Sequence, residues 1–133
     1  MKTINANLVL TALAVKNVEI SAKFYKSVFD WSISFEIPEL LVNFVLPNGM
    51  DLMLYQREAY AKNTNRLPEI IPANSISGTE LYFHIDDIEE AVSRLREAGA
   101  EELSGLSPRD WGDEAAYFAD LDGNVLVIAR PLK

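Results

Sequence analysis

The chain has no cysteine and only one histidine, His84. Without thiols there is no disulfide framework, no thiolate metal site and no cysteine nucleophile. That composition fits a reducing compartment, and a cytoplasmic protein is expected. Basic residues are also scarce: twelve Lys and Arg face twenty Asp and Glu, for a net charge of −8. Such a surface repels phosphate backbones and anionic membranes, so neither nucleic acid nor a membrane is an expected partner. It favours cationic ligands, although acidity also serves solubility. No apolar run is long enough to span a bilayer. Lys2 followed by Leu8–Val15 loosely mimics a signal peptide, but the run is short and is mirrored by an internal strand, Glu80–Ile85. What is present, 49% hydrophobic and 24% charged residues over 133 positions, is the make-up of one globular domain with a real core.

The most informative pattern is a duplication. From Leu10 to Trp31 the order is apolar strand, polar turn at Lys16-Asn17, then amphipathic helix; from Glu80 to Glu101 it recurs, with Asp86-Asp87 as the turn. Each unit closes on a turn and an apolar strand: Asn48-Gly49 before Asp51–Tyr55, and Asp122-Gly123 before Val125–Ala129. An offset of about seventy residues suits a duplicated half-domain rather than a solenoid. Unit one is placed at about 8–56, a linker at 57–78 and unit two at about 79–131.

Within unit one, Leu8–Val15 reads as a strand and Asn17 as the cap of a helix over Val18–Phe29, with Val18, Ala22, Tyr25 and Phe29 on its apolar face. Trp31–Glu36, Val42–Leu46 and Asp51–Gln56 complete it as strands. Periodicity vanishes from Arg57 to Gly78, so this stretch is expected to be an irregular link. In unit two, Asp87 with Glu90 caps a helix that Gly99 ends. Strands follow near Glu101–Leu103, Ala115–Asp120 and Val125–Arg130. Ser104–Glu114 reads as a loop carrying Trp111.

Two such units, with Leu13-Ala14-Val15-Lys16-Asn17 leading to Phe24-Tyr25, and Phe83-His84-Ile85-Asp86-Asp87 leading to Ala98-Gly99, resemble the vicinal oxygen chelate superfamily of glyoxalases, bleomycin-resistance proteins and extradiol dioxygenases. Asp120-Leu121-Asp122-Gly123-Asn124 is similar to that family's Asp-Pro-Asp-Gly-Asn turn. The resemblance implies an α+β fold: two tandem βαβββ units forming a curled mixed sheet around a cavity, helices outside. It also implies metal positions on four strands, which here fall on Leu10, Met53, Glu80 and Val127. Divalent transition metals need about three or more N, O or S ligands, and only Glu80 qualifies well. No metal and no cofactor are therefore expected.

Strand alternation puts Met53, Tyr55, Glu80, Tyr82 and His84 on the cavity face, an aromatic wall with a few polar handles. Trp111-Gly112 resembles the bleomycin-resistance branch; Trp111 either stacks on a planar or cationic ligand or plugs the open end of the sheet. Asp110, Asp113 and Glu114 beside it attract a cation or form a solvated loop. His84 and Glu80 are the acid-base candidates, although about 13 Å separates their Cα atoms along a strand; His84 is otherwise a hydrogen-bonded wall residue. The leading expectation is a metal-independent protein that binds a small organic molecule and forms a homodimer. The alternatives are a lyase, isomerase or dioxygenase using His84 and Glu80, and a ligand-free dimeric scaffold.

Overall fold

Asn17 ends the first apolar run and starts a helix, its Oδ1 accepting the Ile20 amide at 2.9 Å. Asp87 does the same in the second repeat, accepting from Glu90 N at 3.1 Å, and Gly99, at φ 93°, stops that helix. These local signals frame the elements of the computed structural model, which describes all 133 residues. In order they are β1 Leu10–Val15, α1 Val18–Phe29, β2 Ser32–Ile37, β3 Leu41–Val45, β4 Asp51–Gln56 and α2 Arg57–Thr64, then β5 Glu80–His84, α3 Ile88–Glu97, β6 Glu101–Pro108, β7 Asp113–Ala119 and β8 Val125–Pro131. The fold is α+β, built from two βαβββ repeats. No helix is long and apolar enough to cross a membrane.

Each repeat closes its own mixed sheet, in order β1-β4-β3-β2 and β5-β8-β7-β6. The first and last strands of a repeat are parallel neighbours, and the remaining pairs are antiparallel. The chain divides into two compact units, Met1–Ala22 with Trp31–Pro68, and Lys23–Asp30 with Glu69–Lys133. The division runs through α1, so residues 23–29 of this helix count with the second unit. There Phe29 packs on Phe83, ring centroids 5.1 Å apart, and Arg94 Nη1 donates to the Val28 carbonyl at 3.2 Å.

In the first unit Leu13, Val15, Leu52, Leu54 and Phe44 are buried, while Ala12, Met53 and Tyr55 on the other face are not. In the second, α3 packs on β8 through Ile88, Ala91 and Leu95, and Val125–Ala129 are buried on both faces. An unbroken apolar strand requires that burial.

Two expectations change. The link after β4 begins with a helix, α2, capped by Gln56, whose side chain accepts from Ala59 N, and ended by Asn65 in the left-handed region. It buries no residue, so it has no apolar stripe for periodicity to detect; Ala59 and Ala61 and the Glu58-to-Lys62 charge order sustain it. The stretch read as a short strand and a loop is the eight-residue strand β6, with register shifts at Glu102/Ser104 and Ser104/Ser107. Its Ser, Gly and Pro residues are tolerated because it is a bulged edge strand.

The turn before β8 is built on a buried carboxylate. Asp120 Oδ1 accepts from the amides of Asp122 and Asn124, each at 2.9 Å, and Oδ2 accepts from Tyr25 Oη at 2.5 Å and Asn124 Nδ2 at 3.2 Å. Burial pushes the Asp120 carboxyl up from its usual range, and these donors pull it back. Asn124 Oδ1 accepts from Ser77 Oγ at 2.8 Å, fastening the end of the linker to the turn. Gly123, at φ 87°, lies so close to Ile71 that an added Cβ would sit 2.8 Å from its Cγ2.

Gly123→Ala therefore meets both a backbone and a packing penalty and is expected to cost about 2–4 kcal/mol. Gly49→Ala, at the same φ but in open space, is expected to cost only about 1–2 kcal/mol. Urea unfolding of the two variants checks the difference. Tyr25→Phe leaves Asp120 without one of its four donors and should cost about 1–3 kcal/mol at neutral pH by the same measurement.

Candidate functional site

On β5 the side chains of Glu80, Tyr82 and His84 share one exposed face, while Leu81 and Phe83 are half-buried on the other. Across this face the strand register sets three rows: Glu80–Val125–Ala119, Tyr82–Val127–Tyr117 and His84–Ala129–Ala115. The middle of the face is small. Ala115, Val125, Val127 and Ala129 form a buried cluster with Tyr117 packed against it. Two strand steps, about 9–10 Å, separate β5 from β7, yet Tyr82 and His84 both reach Asp113 on β7. They do so by lying over β8, where alanine and valine leave room.

Their meeting point is one oxygen. Asp113 Oδ2 accepts from Tyr82 Oη at 2.5 Å and lies 2.9 Å from His84 Nε2. Trp111 Nε1 donates to Tyr82 Oη at 2.7 Å, its ring edge-on to Tyr82 with centroids 6.4 Å apart. The hydrogen bonds from Tyr82 first and His84 second hold the Asp113 carboxyl below the usual aspartate range. Burial first, and the Asp113 contact second, push the Tyr82 phenol up, so it stays a donor.

Trp111 sits on a clamped four-residue turn, 109–112, rather than in a mobile loop. Arg109 N donates to the Asp113 carbonyl at 2.7 Å, and Leu132 N donates to the Gly112 carbonyl at 2.9 Å. The Arg109 guanidinium donates to Ser104 Oγ and the Gly105 carbonyl at 3.0 Å and to the Ala115 carbonyl at 2.9 Å, and it lies 4.9 Å from the centre of the Tyr117 ring.

The residues singled out in the sequence are thus divided. Tyr82, His84 and Trp111 are joined through Asp113. Glu80 is not brought to His84: β5 pairs with β8 in regular register, with no bulge to bring them together. Met53 and Tyr55 belong to the first unit, half-buried on β4, where Tyr55 packs edge-on to Tyr60 at 5.6 Å. Sequence patterning names Asp113 only as one of three acidic residues beside Trp111, and Arg109 not at all; β7 begins at Asp113, whose parity with Ala115 and Tyr117 puts it on the same face. The first unit holds one more polar residue that sequence patterning passes over. Asn43, paired with Met53, is 1% exposed, donates to Ser34 Oγ at 2.8 Å, and has no partner for Oδ1. An open groove of 730 Å³ in this unit runs past Lys16, Glu19, Glu39 and Ala59 and the two capping residues Asn17 and Gln56.

The superfamily's metal positions can be tested by register. Leu10 pairs with Asp51 and Ala12 with Met53, as Glu80 pairs with Val125 and Tyr82 with Val127. Leu10 and Met53 are therefore the counterparts of Glu80 and Val127. Two aliphatic side chains, a thioether and one carboxylate do not make a donor set for a divalent ion. Nor does any other group of three or more Asp, Glu or His side chains meet in a way that could hold one.

No curated protein matches the chain in sequence. Among solved structures it is similar to a glyoxalase-related enzyme from Fulvimarina pelagi, at 22% identity and TM-score 0.80, covering 93% of this chain and 87% of that one. It is also similar to a glyoxalase/bleomycin resistance protein/dioxygenase from Nocardioides, at 20% identity and TM-score 0.80, covering 99% and 87%. Lactoylglutathione lyase from Agrobacterium tumefaciens matches at 19% identity and TM-score 0.71, covering 96% and 95%. At such identities the likeness is one of fold. The model of the glyoxalase-like domain matches residues 8–133. With the duplicated βαβββ units, that match identifies the chain as a member of the glyoxalase-like family, within the vicinal oxygen chelate superfamily.

Proposed function

We propose that the protein binds a small organic molecule, cationic or aromatic, without a metal ion, on the face formed by β5 and the turn before β7. The observation that carries this is the joined set of Trp111, Tyr82, Asp113 and His84 on a family scaffold whose metal positions are mostly apolar. Two exposed aromatic rings offer stacking surface, and Glu80 and Asp113 supply negative charge beside them. We also propose that the protein is cytoplasmic and pairs as a homodimer. The lack of cysteine supports the first, and the exposed Ile33, Phe35 and Ile37 of edge strand β2 support self-association. A second function, proton transfer by an enzyme of the superfamily, is favoured by one observation. A carboxylate orients His84, although the carboxylate belongs to Asp113 and not Glu80. Turnover that disappears in His84→Ala would establish it.

Binding without a metal has a direct test. In a thermal-shift screen of cationic and aromatic compounds, those that raise Tm should do so equally with and without a chelator. Their Kd should weaken about 3–10-fold in Trp111→Ala. A tightly held transition metal that Glu80→Ala removes would refute the proposal. The network also has a pH signature. Asp113 is depressed in the folded state, so its contribution is present above the unfolded value of about 3.9 and is lost as pH falls through the lower folded value. The Tm advantage of the wild type over Asp113→Asn should therefore be full at neutral pH and close only in strong acid.

A further inference from the structure

A negatively charged aromatic face would accept any organic cation, but the hydrogen bonding on this one is more selective. An ionised carboxylate is an acceptor only, so the His84 Nε2 that faces Asp113 Oδ2 at 2.9 Å must carry the hydrogen. In the neutral imidazole the other nitrogen, Nδ1, then holds a bare lone pair. The His84 side chain is 57% exposed, whereas Asp113 is only 13% exposed, so the imidazole presents this lone pair where a ligand can reach it. The neighbouring polar groups are already committed. Tyr82 Oη receives the Trp111 indole N–H and gives its own hydrogen to Asp113, and the Arg109 guanidinium serves Ser104, Gly105 and Ala115. Glu114 is paired with Arg130.

Resting on the ligand-binding function above, we infer that His84 Nδ1 is a specificity-determining acceptor for the ligand, so the face selects organic molecules that bear an N–H donor, protonated amines foremost, over quaternary cations and anions. Attraction to the Tyr82 and Trp111 rings does not separate a protonated amine from a quaternary one, since both carry the charge. Only the first has a hydrogen to give. Glu80 also accepts an N–H, but it lies about 13 Å from His84 along the strand, so variants at His84 separate its contribution. The lowered Asp113 carboxyl remains an ionised acceptor across the neutral range. Asp113 is thus a positioning residue, acting on the ligand through the tautomer it imposes on His84.

His84 is the only histidine, so its two ring nitrogens give the only imidazole ¹⁵N signals of the labelled protein. Under mildly basic conditions the free protein should show the Nε2–H tautomer. Titrated with three matched probes, it should bind benzylammonium about tenfold or more tighter than benzyltrimethylammonium. Benzylammonium should also displace the Nδ1 resonance, and benzoate should bind least. His84→Phe, and His84→Leu as a second variant, remove the acceptor and should erase the preference, bringing benzylammonium down to the affinity of the quaternary probe. An Nδ1–H tautomer in the free protein overturns the inference. So does equal affinity for the two cations with Nδ1 unmoved, which leaves the cation-binding face standing. If none of the probes binds, the inference and the function it rests on fall together.

Discussion

The second unit depends on one strand that is buried on both faces and small on one of them. β8 takes the α3 helix against Leu126 and Ile128, and on the opposite face shows only Val125, Val127 and Ala129. With Ala115 alongside on β7, these side chains leave a shallow floor that aromatic rings from β5 can cross. A leucine or phenylalanine at 129 would stand where His84 and Tyr82 now lie. The polar network is therefore a product of packing before it is one of hydrogen bonding. The small residues leave room for the rings, and Ala115, Val127 and Ala129 show no exposure, with Tyr117 packed against them.

The position of β8 is set in turn by the Asp120 turn. Four donors converge on that carboxylate, one from α1, and the same turn holds Ser77 and Ile71 of the linker. Burying a carboxylate costs free energy unless its lone pairs are filled, and here α1 and the turn itself fill them. Two carboxylates thus divide the labour. Asp120 is sealed in, shifted up by burial, and orders the backbone; Asp113 is partly buried, shifted down by its donors, and orders side chains.

What could be read from the sequence was what is local. Asn17, Asp87 and Gly99 punctuate helices through contacts within four residues, and the alternation in β1, β4 and β5 separates packed from open faces without knowledge of neighbours. Strand rise alone was enough to hold Glu80 and His84 apart. The rest was hidden for physical reasons. α2 buries nothing and so carries no periodic signal. β6 breaks its own alternation with bulges. The Asp113 contact depends on the register of two strand pairs and on the size of the residues lying between, so no spacing along the chain encodes it.

The duplication gives the strongest reason to place the chemistry in one half. The two sheets share a register, so the first strand of each can be compared position by position: Leu10, Ala12 and Ala14 stand where the second repeat has Glu80, Tyr82 and His84. The last strands reverse the pattern. Met53 and Tyr55 stand where the second repeat has Val127 and Ala129. Each face thus pairs large with small, but with the large side chains on opposite strands, so both keep similar volume while differing in chemistry. A hydrogen-bonded layer laid across β4 in the first repeat would collide with Met53 and Tyr55. In the second repeat the same layer lies over valine and alanine, and the carboxylate that completes it is supplied by the strand beyond.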